Sequence, residues 1–566
     1  MGFASINNSG LSGLYAAQTA LATASHNISN STVEGYHRQR VVLQTQAPQL
    51  ASGFFIGQGV DVQTVQRVAD QFIDEQLRNA GSTAGYLETS QLQLGQVDSA
   101  LSSGDASLLP AIQSFFSAVS GVAANPTSTP QRQLVLSNAQ VLSERFAAMQ
   151  TRMDSIRRGV EVAVDNAAGE LNSYAKQLAQ VNSAIVTGTL RASGGRPADL
   201  IDQRDVLVNK ISGLINTQSV VREDGSVTVS IAEGKPLVDG QFAASVGTAV
   251  DPNDPSRVSL TLTIGDGTVS IPDRVVTNGK LGALLATRNE TLDYVDGQLG
   301  RLALVLTDRI NRQQTAQDEG SAYVAYDLDG QPGQNLFTSL VSGGAALPSR
   351  TNTPSDIQLL YTVTDSSAVT GDYYRMQYQN NSWRVTDGKG HVTDLGPGES
   401  FDFDGLNVQV NHLFNGLQIG PNEGDSFDLR PTAGLAAQVQ VALDDPRKIA
   451  AAANAPDPQR GAFVGDGSNA QKMADLQRAL LVAGGETFAE SYAKMVGVVG
   501  VQAASATTRG TAQTALVQQL RQQQESVSGV NLDEEAANLL RYQQAYQASA
   551  KLLSIAGSLL DAILQL

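Results

Sequence analysis

The chain has 566 residues, a formal net charge of −17 at pH 7 and no cysteine. That length exceeds one hydrophobic core and predicts about three to five domains. The acidic balance argues against nucleic acid or an anionic membrane surface as partner, and the lack of cysteine excludes disulfides, thiolate metal sites and cysteine nucleophiles.

The chain opens on a charge-poor helical pattern. Leu11, Leu14, Leu21 and Ile28 form a heptad seam, with Gln18 and Ser25 as its polar members. Before Glu34 the only side chain able to carry charge near neutral pH is His26. MGFASINNSGLSGLY lacks the basic and continuous apolar regions of a secretory signal. Gly35 and Tyr36 end this helix, and Arg40–Gln46 and Val60–Val65 read as short strands. A helix is expected from about Val68 to Leu101.

Thr129 and Pro130 then mark a helix start, as N-cap and first helical residue. Leu142, Phe146, Met149, Met153, Ile156, Val160, Ala163 and Ala167 alternate spacings of three and four. One extra four-step leads to Leu171, after which Tyr174, Leu178, Val181 and Ile185 continue the alternation. A single coiled-coil-like helix with one stutter, roughly 80–90 Å long, is predicted. Rods of this length suit a building block better than an enzyme core.

From Val220 the period changes to alternation. Asp224-Gly225 and Asp266-Gly267 mark hairpins of a small β domain. Helical pattern returns over Lys280–Gln317. A larger β insertion follows, with turns at Asp387-Gly388 and Asp404-Gly405 and the only tryptophan, Trp383. Trp383 reads first as a packing aromatic and second as a glycan platform. Ala450–Gln459 reads as a flexible crossing, because Pro456 and Pro458 bar a helix. Helix resumes near Ser468, with breaks at Gly484-Gly485 and Gly497–Gly500, and runs to about Ser526.

The last stretch carries a second seam. Leu532, Leu539, Tyr546, Leu553 and Leu560 lie seven apart, and Ala536, Ala550 and Leu564 fall four after three of them. Asn531 is a good N-cap, followed by Asp533, Glu534 and Glu535 at the positive end of the dipole. Beyond Arg541 the only charged side chains are Lys551 and Asp561. Two charge-poor seams at opposite ends fit either an antiparallel pair closing a monomer or packing against neighbouring molecules.

LATASHNISNSTVEGYHRQRV (Leu21–Val41), with Asn27, Asn30, Gly35, Tyr36, Arg38 and Gln39, resembles the N-terminal signature of bacterial flagellar axial proteins. SGVNLDEEAANLLRYQQAYQASAKLL resembles their C-terminal signature, and GGRPADLIDQRDVLVNKISGL (Gly194–Leu214) is similar to a segment of the hook-associated protein 1 family. The resemblance implies a self-assembling adaptor at the hook–filament junction. It implies self, hook protein and hook-associated protein 3 as partners, with export through the flagellar channel without a cleaved signal. It also implies a cytoplasmic export chaperone at the helix holding Leu539, Tyr542, Tyr546 and Leu553. No cofactor and no enzymatic activity are expected.

No Walker A run, H-E-x-x-H or G-x-S-x-G is present. The four histidines lack ligand spacing. Asp327-Leu328-Asp329-Gly330 reads as a turn rather than a calcium loop, because Gln331-Pro332 stands where further oxygen ligands are needed. Asp199 and Asp202 lie near a helix start, with no partner group to make them an acid/base pair.

The expected fold is mainly α with inserted β domains, nested discontinuously. A terminal coiled coil takes 1–60 and 528–566. A long-helix bundle takes 61–217, 280–322 and 431–527. Two outward β domains take 218–279 and 323–430. Two other readings are a secreted coiled-coil binding module or adhesin with ligand-binding β insertions, and another axial subunit of hook or filament.

Overall fold

The computed structural model describes the chain except residues 1, 52–53, 103–106, 192–195, 252–253, 255–256, 316–323, 342, 354–356, 413–419, 455–464, 483 and 565–566, and the side chains of 2–5, 51, 54, 191, 412 and 560–564. Most of the crossing expected at Ala450–Gln459 therefore lies outside the described residues.

The chain begins with α1 (Gly2–Asn30). A β ribbon follows, in which β1 (Gln39–Thr45) and β4 (Val60–Arg67) pair antiparallel as the two predicted strands. Between them stands a hairpin that the sequence did not announce, β2 (Gln49–Ala51) and β3 (Phe54–Ile56). Next come α2 (Gln71–Ser102), α3 (Leu108–Ala124), α4 (Thr129–Arg191) and α5 (Ala198–Leu214).

The 63 residues of α4 span about 95 Å at the standard rise. Its predicted stripe faces the core along the whole length: Leu142, Phe146, Met149, Met153, Val160 and Ala167 are buried, and so are Leu171, Leu178 and Ile185. Ile156, Ala163, Tyr174 and Val181 pack against the same core half-buried. The unforeseen helix is α3. It carries no charge, and its exposed stripe is only Pro110, Gln113, Ser114, Ser117 and Ser120, a weak polar signal beside the buried Ile112, Phe115, Phe116 and Val119. Phe115 and Phe116 from α3 meet Phe337 and Phe488 with ring centroids 5.8 and 6.0 Å away, at the centre of the body.

The small β unit has two antiparallel sheets. One runs β5-β6-β7-β8 (Thr217–Val221, Val227–Ile231, Lys235–Asp239, Phe242–Ala243). The other runs β11-β10-β9, built from β9 (Ser245–Val250), β10 (Val258–Ile264) and β11 (Gly267–Ile271). The turn at Asp224-Gly225 falls where expected, with Gly225 at φ +85°. The second turn is Gly265-Asp266, one residue earlier than read, because Gly265 takes the left-handed conformation at φ +59°.

This unit corrects the expectation of an outward domain. It lies along α4 and shares its core. The Asn182 amide donates to the carbonyls of Val227 and Gly240 at 2.9 and 2.8 Å and accepts from Val227 N–H at 3.0 Å. The Asn172 amide pairs with both backbone groups of Val246.

After it, α6 (Gly279–Ala286) and α7 (Asp293–Thr315) are joined by a π-helical turn at Thr287–Leu292. The larger β domain holds a four-stranded sheet, β12-β14-β19-β18, and a five-stranded one, β13-β20-β15-β16-β17. In chain order these strands are Gly344–Ala345, Leu347–Pro348, Ile357–Val363, Tyr374–Gln379, Ser382–Asp387, Val392–Gly396, Ser400–Phe403, Leu406–His412 and Ser426–Leu429. Trp383 is 2% exposed between Tyr378 and Phe427, which makes it a packing aromatic and removes the glycan-platform reading. Asp327 accepts from the N–H groups of Asp329 and Gln331, so the acidic tetrad is a turn as expected. The domain docks where Gly297 and Gly300 of α7 let backbone approach backbone: a Cβ there would lie 2.0 Å from Gly371 O or 1.7 Å from Thr432 O.

The chain returns through α8 (Ser468–Asp475), α9 (Phe488–Ser528) and α10 (Leu532–Leu564). α9 starts on a capping box of Thr487 and Glu490. It stays continuous through Gly497–Gly500, where a break was expected. Packing antiparallel on α2 outweighs about 1 kcal/mol of lost propensity per glycine. Tyr492 OH on Leu101 O and Gln513 on Ala80 O fix that register.

Candidate assembly interface

α1 and α10 lie antiparallel, the first and last helices side by side, through smaller residues than the sequence suggested. Gly10, Ala17, Ala20, Ala24 and Asn27 form the buried line of α1. A Cβ on Gly10 would meet Leu553 at 3.1 Å, and one on Gly13 would meet Ser549 Oγ at 2.9 Å. The facing line of α10 is Glu535, Leu539, Tyr542, Ser549, Leu553 and Ala556. α1 is therefore turned by one residue from its predicted seam, whereas α10 keeps Leu539 and Leu553 on the facing line and exchanges only the positions between them, Tyr542 for Gln543 and Ser549 for Ala550. Glycine and alanine of α1 let the axes close up, and the leucines of α1 move to the shoulders.

The predicted N-terminal seam accordingly divides. Leu14, Leu21 and Ile28 are half-buried, and Leu11 is 42% exposed. In α10, Leu539, Tyr542 and Leu553 face α1, Tyr546 sits at the edge, and Leu532 is exposed. The side chains of Leu560 and Leu564 lie outside the described residues. What remains uncovered is an apolar outer face: Leu11 and Tyr15 on α1, with Leu540, Leu552, Ile555 and Leu559 on α10.

The N-terminal signature residues close the base of the pair. Asn27 is buried, donates to Gln39 O at 2.9 Å, and accepts from Gln39 N–H at 2.9 Å and Tyr36 OH at 2.7 Å. Burial, then the carboxylates of Asp199, Asp202 and Glu535, hold the Tyr36 phenol above its usual range, so it stays a donor. Asn30 bonds back to His26 O. Gly35 turns at φ +76°, where a Cβ would strike Val206 at 2.3 Å. Arg38 donates from its backbone to Ser528 O and from its side chain to Glu534, joining both chain crossings. Gln39 Nε2 donates to Asp199.

The sequence reading missed His37 and Arg67. Buried His37 donates from Nδ1 to Asp202 Oδ1 at 2.8 Å, and its backbone N–H donates to Asp202 Oδ2 at 3.0 Å. Arg67 of β4 bonds Asp202 at 2.6 Å and Asp205 at 2.8 Å. No sequence spacing announces this cluster, because its members come from three separate parts of the chain: the segment before β1, β4 and α5. Among the described residues, no group of three or more histidine or acidic side chains could hold a metal ion, and no helix is long and apolar enough to cross a membrane.

Comparison with known proteins matches this layout. Residues 94–337 match the flagellar hook-associated protein FlgK helical domain, a stretch that includes the small β unit. Residues 348–431 match the hook-associated protein 1 D2-like domain, and residues 521–566 the FlgEFG basal body rod C-terminal family. Flagellar hook-associated protein 1 of Salmonella typhimurium is 33% identical over 99% of this chain and 100% of its own length. The Escherichia coli K12 protein of that name matches at the same identity and coverage. The Bacillus subtilis one is 24% identical over 97% of this chain and 96% of its own. The structure of the flagellar hook junction protein FlgK from Burkholderia pseudomallei superposes with a TM-score of 0.71, covering 80% of this chain and all of that one at 24% identity, a likeness of fold. The chain therefore belongs to the flagellar hook-associated protein 1 family and is a structural flagellar protein, not an enzyme.

Proposed function

We propose that this chain, a structural subunit of the flagellar hook–filament junction, joins hook protein on one side to hook-associated protein 3 on the other through its terminal helix pair. The observation that carries this reading is the uncovered apolar face on a charge-poor pair, in which α1 has no Asp, Glu, Lys or Arg and α10 beyond Arg541 has only Lys551 and Asp561. Burying a large apolar side chain contributes about 1.5–3 kcal/mol before ordering costs. Several such residues on each subunit suffice for an array. A head-to-tail contact of this kind need not close on a two-fold axis, so it extends as a tube.

In this reading Leu11, Leu14, Leu21 and Ile28 with Leu532, Tyr546, Leu560 and Leu564 contact neighbours. Leu539, Tyr542 and Leu553 hold the pair together. Asn27, Asn30, Gly35, Tyr36, Arg38 and Gln39 set the base from which it rises. Residues 1–60 with 528–566 act as the assembly domain, and the larger β domain at 323–430 faces outward. Before assembly the subunit passes through the flagellar export apparatus and channel to the cell exterior. A chaperone gripping Leu539, Tyr542 and Leu553 has to replace α1 on them, which blocks premature assembly.

The test adds purified chain to isolated hooks and images their distal ends. A short cap that is absent with a chain truncated after Ser528 supports the junction adaptor. Long filaments without hooks, or no association, refute it.

A further inference from the structure

The hairpin that the sequence did not announce extends the β ribbon beyond its last contact with α1. The ribbon of β1 and β4 starts at the base of the terminal pair, where Asn27 holds Gln39, and runs along α1 to Gly59. There it is pinned. Val60 N–H donates to Ser12 Oγ at 3.3 Å, and a Cβ on Gly59 would lie 2.1 Å from Ser12 Oγ and 3.0 Å from Ser9 Cα. Beyond that point come β2 and β3, three residues each. Leu50 and Phe55 are directly opposite one another, so their side chains share one face of the hairpin, and they are 62% and 75% exposed. Ile56 is exposed on the other face. A lone two-stranded hairpin is marginally stable in water, so this one needs a surface to lie on.

Chemistry and position together select that surface. Residues 41–60 contain no Asp, Glu, Lys, Arg or His, so a charged surface would lose hydration to the hairpin without gaining a partner. At 3.6 residues per turn α1 has three sides. Gly10 and Gly13 face α10, Ser9 and Ser12 face the ribbon, and Leu11, Tyr15, Gln18, Ala22, Ser25 and Ser29 face outward. The outward side carries no charge, and its large apolar residues, Leu11 and Tyr15, stand where the ribbon ends. Ile56 is three residues from Gly59, so at about 3.3 Å per residue the hairpin lies within about 10 Å of their height along α1. Its own copy's stripe does not cover it, because ribbon and stripe lie roughly 110° apart around α1 and both are exposed in the single chain. Two matching surfaces at one height on different sides of a helix suit a head-to-tail contact between parallel copies.

We propose that the hairpin of β2 and β3 is a docking arm: Leu50 and Phe55 of one copy seat on the Leu11 and Tyr15 end of α1 in the next copy of this chain. The proposal deepens the assembly reading above and rests on it. Each copy then has a donating side, the hairpin, and a receiving side, the outward stripe of α1. The arm is engaged only in the array.

The absence of cysteine lets Gln49→Cys on the hairpin and Asn8→Cys on α1 each be the only thiol of its chain. Both replace exposed polar residues and leave the four apolar ones in place. The two full-length chains, distinguished by a tag, are mixed, laid on isolated hooks and treated with a short bismaleimide. The expected product joins one Gln49→Cys chain to one Asn8→Cys chain, and it is absent when Val162→Cys, exposed on α4, replaces Asn8→Cys. Leu50→Ser with Phe55→Ser is expected to raise the concentration for half-maximal capping by about tenfold or more, with helical circular dichroism unchanged. Capped hooks without the mixed product leave the junction reading standing and overturn the arm. So does a product joining two Gln49→Cys chains, which marks a two-fold contact, or one joining Gln49→Cys to hook protein in place of Asn8→Cys. Capping by the double serine chain at the parent's concentration also overturns it. Where no caps form, the junction reading is judged on the parent chain, and the mixed product is sought in concentrated free chain: its presence there supports the arm and its absence overturns it.

Discussion

Replacing Gly300 by alanine tests how the larger β domain is held to the helices. Gly300 is buried inside α7, and an added Cβ would stand 1.7 Å from Thr432 O and 2.8 Å from Thr432 C. Those atoms are backbone, so no side chain can turn aside. Overpacking of this kind costs about 1–3 kcal/mol and more where backbone must move, against a gain of about 1 kcal/mol from helix propensity. Because backbone must move, the upper part of that range applies, and the net expectation is about 1–2 kcal/mol of destabilisation at the dock. With a urea slope of about 2 kcal/mol per molar for a single domain, the midpoint falls by about 0.5–1 M. Trp383 is the only tryptophan and is buried in this domain, so its fluorescence reports the event directly. Gly159→Ala is the control: it sits exposed in α4 with nothing within 4 Å of the added Cβ. That change is expected to stabilise the helix by about 0.5–1 kcal/mol. If Gly300→Ala raises the midpoint as Gly159→Ala does, the backbone-to-backbone dock described here is refuted.

Asn27→Ala leaves Gln39 N–H and the Tyr36 hydroxyl without their acceptor and is expected to cost about 2–3 kcal/mol; amide exchange should then rise across residues 6–30 and 39–45, and unchanged protection would show the knot to be idle. Arg288→Met removes a guanidinium that is 1% exposed and bonded to Glu161, Asp273 and Val258 O. Loss of one partner from a buried ion cluster costs about 3–5 kcal/mol, so thermal unfolding should begin early, and a melting curve matching the parent would contradict it. Leu552→Lys with Leu559→Lys alters side chains about half exposed on the outer face of α10. Helix content should stay constant while caps on isolated hooks disappear; caps that persist would place the contact elsewhere.

Some of this molecule was legible because period survives without context. The stripe of α4 is a property of 3.6 residues per turn, and Thr129-Pro130 placed its start to within one residue: Ser128 is the cap, accepting from Gln131 N–H, and Thr129 is already helical. The β turns were legible where two residues must adopt positive φ, as Asp404 and Gly405 do at +46° and +73°. The signature residues Asn27, Tyr36 and Gln39 were picked out by resemblance, and their joint contact appears only in the fold.

The rest depended on which surfaces meet. α3 was missed because its exposed stripe is serine, glutamine and proline, with no charge to mark the solvent side. The seam of α1 was read one residue off because hydrophobicity marks leucine as the buried line. In space its glycines and alanines take that line, because they let the helices approach, and Leu553 of α10 packs over Gly10. The small β unit looked like a separate insertion by its period, yet Asn172 and Asn182 bind it to α4. The cluster at the base of the pair was invisible for a related reason. His37, Arg67 and Asp202 come from separate parts of the chain, and their pairing depends on where those parts end in space. Sequence alone determined most of the helices, the long α4 above all, most of the chain-reversing turns and that the two terminal helices are charge-poor. Tertiary structure decided which face of each helix is inside, since that depends on how closely two backbones can approach.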